Sequence, residues 1–478
     1  MAGIGGPDAA AFAQKSADAL GDDVLQRTIR TRQDGRQERQ RQAVAELPDW
    51  EAWKDAVSAI RAHTIEHLDL YLEQFADNVE RRGGHVFFAR DGTEARDYIA
   101  QVASKLDARL IVKAKSMLSE EIGLNDALSA TGAEVVETDL GEFIIQLAHE
   151  TPFHILGPAS HKTLDEIREL FETLSGRQLE GGPVELAAFA REYLREKFLI
   201  ADMGVSGCNF GVASEGSVVV VSNEGNARLT TSLPGTHVAL MGLDRLVPDL
   251  ESLGPMLTVL PRSANGVRST AYVSIITGPR RPQDQDGPQD LHVVIIDNGR
   301  SRILGGPYRE ILKCIRCGAC LDNCPVYRNI GGHAYGPVYS GPIGAVLTPL
   351  LKGLADHAHL PFASSLCYVC NDVCSARIPL ADYLADLRAD VVAGGLDNRI
   401  WRAGFRGFAE ATRRPLVWES GLRMAGLGLR FWERDGVVRG GPSLLGRWTE
   451  SRDLPGLAKH SFHERWRKGM TSVPGEGD

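Results

Sequence analysis

The sequence predicts an α/β domain built on a mainly parallel sheet, followed by a small cysteine-rich module and a helical tail. Three observations predict it. Short apolar runs alternate with stretches of helical spacing between residues 63 and 300, the pattern of strands joined by crossover helices. Seven of the eight cysteines lie between residues 314 and 374. The chain has 478 residues with 43% hydrophobic and 24% charged residues, enough ordinary globular sequence for about three cores.

The elements follow in chain order. Residues 1–62 are polar and helix-favouring and read as an N-terminal helical extension. Their Arg- and Gln-rich stretch TRQDGRQERQRQ reads as a solvated helix face, because acidic residues flank it. In residues 63–300, HVFFAR, RLIVKA, AEVVET and FHILG read as strands, with TEARDYIAQVASKL and SEEIGLNDALSATG as helices. Gly132 stands where a helix should end before a strand. Thr163 and Glu166 form a T-x-x-E capping box. The runs SVVVVSN, THVALMG, AYVSIIT and LHVVIID extend this sheet or form a second one. Residues 301–392 hold the cysteine module. Residues 393–478, with WRAGFRGFAEATRRP and LRFWERDG, read as short helices ending in a frayed TSVPGEGD.

The cysteines carry the chemistry. Cys314, Cys317, Cys320 and Cys324 stand in CIRCGACLDNCP, a C-x2-C-x2-C-x3-C-P run. Cys367, Cys370 and Cys374 follow in CYVCNDVC. The first run is the bacterial iron–sulfur signature, whose fourth cysteine serves the other cluster of a two-cluster ferredoxin. Two-residue gaps aim three thiolates at one cluster, and the fourth ligand must come from another segment. Cys314, Cys317, Cys320 and Cys374 then hold the first cluster, and Cys324, Cys367 and Cys370 the second. Symmetry asks for another cysteine at position 364, which is Ser364. The second site is therefore a three-iron cluster, or a four-iron cluster completed by Ser364, another side chain, solvent or a partner. Zinc suits paired cysteines rather than this run. Disulfides need an oxidising compartment that nothing here indicates. Cys208 reads as a small unliganded residue.

The remaining patterns narrow the function class. A net charge of −9 argues against general nucleic-acid binding. The first residues lack a basic stretch followed by an apolar core, and no apolar stretch is long enough to span a bilayer. The expected location is the cytoplasm, either free or peripheral at the membrane. Neither a G-x-G-x-x-G after a strand nor a P-loop motif is present. Asn223, Glu224, Asn226 and Arg228 cluster beyond the apolar run SVVVVS and are candidates for a ligand pocket, with Arg228 suited to a carboxylate. Asp139, Glu142 and Gln146 in ETDLGEFIIQL are a second candidate group, and the alternative for both groups is turns and sheet contacts. His161-Lys162 reads as a solvated pair.

KSMLSEEIGL, GAEVVETDLGEFIIQL, SNEGNARLTTSLP and TGPRRPQD resemble the LUD domain. Together with CIRCGACLDNCPVYRNIGGHAYG they resemble the lactate utilization protein B family. The resemblance implies an α/β LUD domain with a fold like that of ribose-phosphate isomerases and CoA transferases, then an α-helical two-cluster ferredoxin module and a helical C-terminal segment. It implies two 4Fe-4S clusters on the seven cysteines, L-lactate oxidation to pyruvate, and two partners. One partner is an iron–sulfur subunit with CCG domains and the other a small LUD-domain subunit. Ser375 stands where the family usually has Pro, Cys208 where Ala is common, and Ser214-Glu215 where Glu-Thr is common. Glu215 invites comparison with the catalytic Glu of CoA transferases, but it arises from a departure from the family pattern.

Three functions compete on this reading. The first is an electron-transfer subunit of a lactate-oxidising complex, not catalytic alone. The second is an acyl or CoA-type transferase or isomerase with structural clusters, which would need a nucleophile that no motif supplies. The third is a non-enzymatic iron–sulfur sensor, which would need a recognition surface that the charge pattern does not show.

Overall fold

Six strands near the middle of the chain pair into one sheet, and every pairing in it is parallel. The computed structural model describes residues 7–442, 444–449, 452–458 and 460–469. In chain order the strands are β1 (His85–Ala89), β2 (Leu110–Lys113), β3 (Glu134–Glu137), β4 (Met203–Gly207), β5 (Phe210–Val212), β6 (Ser217–Ser222), β7 (Thr236–Gly242), β8 (Leu246–Val247), β9 (Tyr272–Ile276) and β10 (Asp290–Ile296). The main sheet runs β1-β10-β7-β4-β2-β3, and a second sheet runs β8-β5-β6-β9. Thus THVALMG and LHVVIID extend the first sheet, whereas SVVVVSN and AYVSIIT build the second. The inner strands are buried on both faces, which is why they read as unbroken Val, Ile and Leu runs. Gly204 lets the helix Asn226–Ser232 lie on β4, since a Cβ there would stand 2.0 Å from the Thr230 carbonyl oxygen.

Local signals at the helix ends hold well. Thr163 and Glu166 make a reciprocal capping box at the helix Leu164–Ser175. The stretch SEEIGLNDALSATG is broken into Met117–Glu121 and Leu124–Ser129 by Gly123, whose φ is 64°. FHILG is not a strand. It is a buried loop held by side chains: the Tyr327 hydroxyl donates to the Phe153 carbonyl at 2.8 Å, and Lys115 Nζ donates to that of Leu156 at 2.7 Å. Its apolar residues are inside because they pack on the cysteine module, not because they pair in a sheet.

The N-terminal helices are α1 (Pro7–Gly21), α2 (Asp23–Ala45), α3 (Trp50–Glu66) and α4 (Leu68–Arg81). The expectation that TRQDGRQERQRQ is only a solvated face is corrected. Gln26, Gln33 and Gln40, seven residues apart, are all buried on one face of α2. They satisfy backbone carbonyls of packed segments: Gln33 donates to Leu321 O at 3.3 Å and Gln40 to Ser263 O at 2.7 Å. An apolar stripe is therefore not the only way to dock a helix, because amide side chains can pair buried carbonyls that would otherwise be orphaned. Buried Arg61 of α3 acts similarly, donating to the carbonyls of Asp244, Leu246, Leu312 and Lys313. One hydrophobic core combines residues of α1 and α3, the second sheet, the helix Leu250–Asn265 and the cysteine module.

Residues 397–478 form a separate unit. It contains the helices Arg399–Thr412 and Pro415–Leu429, as the sequence suggests. It also contains an unexpected antiparallel sheet of β11 (Glu433–Arg434), β12 (Val437–Val438) and β13 (Leu454–Pro455). Asp435 and Gly436 both have positive φ, 51° and 76°. They form the two-residue Asp-Gly hairpin turn that matches strand twist. The tail TSVPGEGD lies outside the described residues.

Candidate metal centre and its adjoining cavity

The two cysteine runs adopt the same local path. Cys314 follows a 3-10 turn, the chain turns through positive φ at Arg316 (59°) and Gly318 (76°), and a short helix Ala319–Asp322 carries Cys320. The second run repeats this with Leu366 (53°), Tyr368 (65°) and the helix Val369–Asp372, which carries Cys370. Each fourth cysteine begins another tight turn. Cys324 caps the helix Pro325–Ile330, with its Sγ accepting from Tyr327 N at 3.5 Å. The proline after it fits the first helical position, whose N–H would have no partner anyway. Cys374 Sγ accepts from Ile378 N at 3.3 Å.

The fold sorts the thiols into two groups that exchange their fourth members. Burial pushes the Cys317 thiol up to about 12, and the nearby thiols of Cys314 and Cys374 push the same way. Cys320 is raised by burial and by Cys317, Cys314 and Cys374. In the other group, burial pushes Cys370 up to about 12, helped by Cys324 and Cys367. Cys324 is likewise raised by burial and by Cys367. Gathering this many soft donors in a low-dielectric interior disfavours bare thiolates unless positive charge sits among them. The donor set suits iron, which takes one soft thiolate at each metal corner. Backbone N–H groups already point at sulfur, as Arg316 N does at Cys314 Sγ, 3.4 Å away.

Ser364 occupies the matching place in the second run. Its Oγ accepts from Leu366 N at 3.0 Å, as Cys314 Sγ accepts from Arg316 N. Ser375, the residue after Cys374, is fixed by its neighbours. It hydrogen-bonds Ser263 Oγ at 2.6 Å and lies 3.6 Å from Cys317 Sγ. Asp322, between Cys320 and Cys324, is almost fully buried and ties the run to its surroundings. It accepts from Arg36 at 2.9 Å, from Gln40 at 3.2 Å, and pairs with His154 at 3.2 Å.

A cavity of about 450 Å³ adjoins the first run. Its floor is the carboxyl end of β2, β4 and β7, through Ser116, Cys208 and Asp244, and its far side includes Ile315, Arg316 and Tyr339 of the cysteine module. Asn223, Glu224 and Asn226 line it. Arg228 does not: it is exposed on the helix Asn226–Ser232. Its place near the strand end in sequence does not turn its side chain inward, because the adjoining positions Asn226 and Ala227 take the buried face. The cations on the cavity wall are Lys115, Arg245, Arg300 and Arg316, which sequence reading did not select. Their only sequence signal is position, since Lys115 and Arg245 follow strand ends and Arg316 sits between two cysteines. Burial alone would raise Asp244, but Arg245 and Arg300 hold it well below the usual carboxylate range. Glu224 is raised by burial and by its neighbour Asp139.

Other singled-out residues have structural roles. Gln146 serves strand β3, accepting from Glu137 N and donating to Val135 O. Glu142 is buried and pushed up to about 8 by burial and by Glu137. Glu215 lies in the turn between β5 and β6, paired with Arg82 at 3.0 Å. His161 and Lys162 are not a solvated pair. Both are partly buried against Glu150. Cys208 lies in the cavity wall, with its Sγ 2.9 Å from Phe210 O, and burial pushes its thiol up to about 12.

Three family models match successive stretches of the chain. Residues 72–296 match the LUD domain, 310–378 the 4Fe-4S dicluster domain, and 391–470 the C-terminal region of lactate utilisation protein B. A lactate utilization protein B from Shouchella clausii is 45% identical over 460 residues, covering 96% of this chain and 97% of that protein. The chain belongs to the lactate utilization protein B family. A further member, from Oceanobacillus iheyensis, is 48% identical, covering 88% of each chain. A crystal structure of a DUF162 family protein from Deinococcus radiodurans covers 48% of this chain and 98% of its own at 14% identity, but its TM-score of 0.28 carries no argument. No described helix is long and apolar enough to cross a membrane.

Proposed function

We propose that this chain is the iron–sulfur electron-transfer subunit of a multi-subunit system that oxidises L-lactate to pyruvate. The observation that carries the reading is the interleaving of two thiol groups, four and three, within one core. On this reading Cys314, Cys317, Cys320 and Cys374 hold one 4Fe-4S cluster, and Cys324, Cys367 and Cys370 hold the other. When bound, each cluster accepts and passes on a single electron. The chain's own residues bring each thiol group together, bury every thiol of the two groups except Cys367 at least in part, and direct N–H groups at the sulfurs. The lactate utilization of its relatives supports lactate as the electron source. The partners are a CCG-domain iron–sulfur subunit and a small LUD-domain subunit, and the carbon chemistry belongs to the assembled system. The all-parallel sheet supports a LUD domain folded like ribose-phosphate isomerases and CoA transferases.

The test is anaerobic purification with the partner subunits, followed by electron paramagnetic resonance with and without L-lactate. Lactate should reduce the clusters only in the complete complex, whereas dithionite should reduce them in the chain alone. Clusters that stay oxidised in the complete complex with lactate would defeat the reading.

A further inference from the structure

The cavity described above has a defined place in the sheet. The chain runs from β2 outward to β3 on one side and then returns to β4 on the other. That reversal leaves a crevice beyond the carboxyl ends of β2 and β4, where open parallel sheets bind ligands. Ser116 and Cys208 line the cavity there. Its volume lies within the usual span of small-ligand pockets, about 300–1,000 Å³.

The charge on its walls is uneven. Arg300 is held by Glu121 at 2.7 Å and Asp244 at 3.0 Å. Arg245 is held by Asp244 at 2.7 Å and donates to the Cys314 carbonyl at 2.8 Å. Lys115 donates to the Leu156 carbonyl. Arg316 differs from all three. Its guanidinium stacks 4.4 Å over the Tyr339 ring but makes no hydrogen bond or ion pair among the described residues, and Nη1 is sealed from solvent without a partner. Asp244, Tyr339 and Cys314 lie close enough to stabilise its charge, yet none of them accepts a hydrogen bond from it, and the planar fork of Arg matches a carboxylate. Elsewhere on the wall Asn226 is engaged by Ser222 and Thr138, and Asn223 Oδ1 and Glu224 Oε2 accept from backbone N–H groups, which leaves the Asn223 amide N–H donors and Glu224 Oε1 for a hydroxyl or carbonyl group.

We propose that this cavity binds a small carboxylate of the 2-hydroxy or 2-oxo acid class, with the carboxylate on Arg316 and the adjoining oxygen toward the Asn223–Asn226 wall. The choice of acid rests on the electron-transfer reading, while the anion site rests on the uncommitted Arg316. Because Arg316 lies between Cys314 and Cys317, the bound acid sits against the loop of the first thiol group. The size admits acids longer than lactate.

Isothermal titration of the anaerobically reconstituted full chain tests the site, using L-lactate, pyruvate, acetate and the neutral amide of lactate as probes. L-lactate and pyruvate should bind saturably, acetate more weakly, and the amide not at all. Arg316→Gln should weaken L-lactate binding at least tenfold and Arg316→Lys less. Iron content and the dithionite-reduced spectrum should stay at wild-type values. If the variants lose iron, hydrogen–deuterium exchange of the wild type decides. L-lactate should then protect backbone around residues 115–118, 207–209 and 315–316. Absence of saturable binding by every probe, undiminished affinity in Arg316→Gln with iron intact, or protection confined elsewhere overturns the site. Reduction by lactate in the full complex without binding by this chain overturns the site and leaves the electron-transfer reading standing. Binding without reduction does the reverse.

Discussion

The first cysteine run is half-buried or buried at every thiol, whereas the second exposes Cys367 and has Ser364 where the first has Cys314. Their backbones are otherwise alike, with positive φ at Arg316 and Leu366 and again at Gly318 and Tyr368. The same turn thus presents either sulfur or a hydroxyl at one corner, and the surroundings set how firmly iron is held. Around the first run those surroundings are α2, the FHILG loop and the cavity wall, tied through Asp322 and Arg245. The second run is open to solvent at Cys367, so on the proposed ligand sets iron held by Cys324, Cys367 and Cys370 would be the more exposed to chelators and oxygen.

The largest effect should come from removing iron altogether. Anaerobic chelation should release about eight irons per chain when both cubanes are filled. The cysteines then lose the metal bonds that join their two segments, so residues 301–392 should lose protection in hydrogen exchange, as metal binding and folding are coupled. Partial chelation sharpens the comparison: the spectrum of the Cys324, Cys367 and Cys370 group should disappear first. Simultaneous loss of both signals would break it.

Single ligand changes come next. Cys320→Ser should abolish or severely alter the first cluster. Cys374→Ser should also alter the first cluster although it lies in the second run, and Cys324→Ser should alter the second. Electron paramagnetic resonance of each variant reads this directly. A change confined to the cluster of the mutated residue's own run would refute the exchange of fourth members.

Position 364 should give a smaller effect. Ser364 Oγ already holds the Leu366 N–H as Cys314 Sγ holds that of Arg316. Ser364→Cys should therefore fit without moving the loop and slow loss of iron from the second cluster in air several-fold. Ser364→Ala should favour a three-iron signal at that site. An unchanged spectrum in Ser364→Ala would assign the fourth position to solvent or another group. The smallest effect belongs to Cys208→Ala, which should leave iron and sulfide content at wild-type values, because Cys208 lies outside both thiol groups and its buried thiol is held protonated.

Much of this molecule was legible where the governing interaction is local. The alternation of strands and helices, the capping box at Thr163, and the ligand spacing of the cysteines all depend on residues a few positions apart. The Asp435-Gly436 hairpin was equally local and equally readable, but the surrounding Arg- and Trp-rich helical texture hid it. The sequence by itself determined the parallel α/β class, the iron-binding chemistry and the one missing thiol at Ser364. Only the tertiary structure decided that FHILG is a buried loop, that Gln26, Gln33 and Gln40 face inward, and that Arg316 rather than Arg228 stands at the cavity. Each of those outcomes depends on which distant backbone comes to lie against the residue, and periodicity along the chain does not record that.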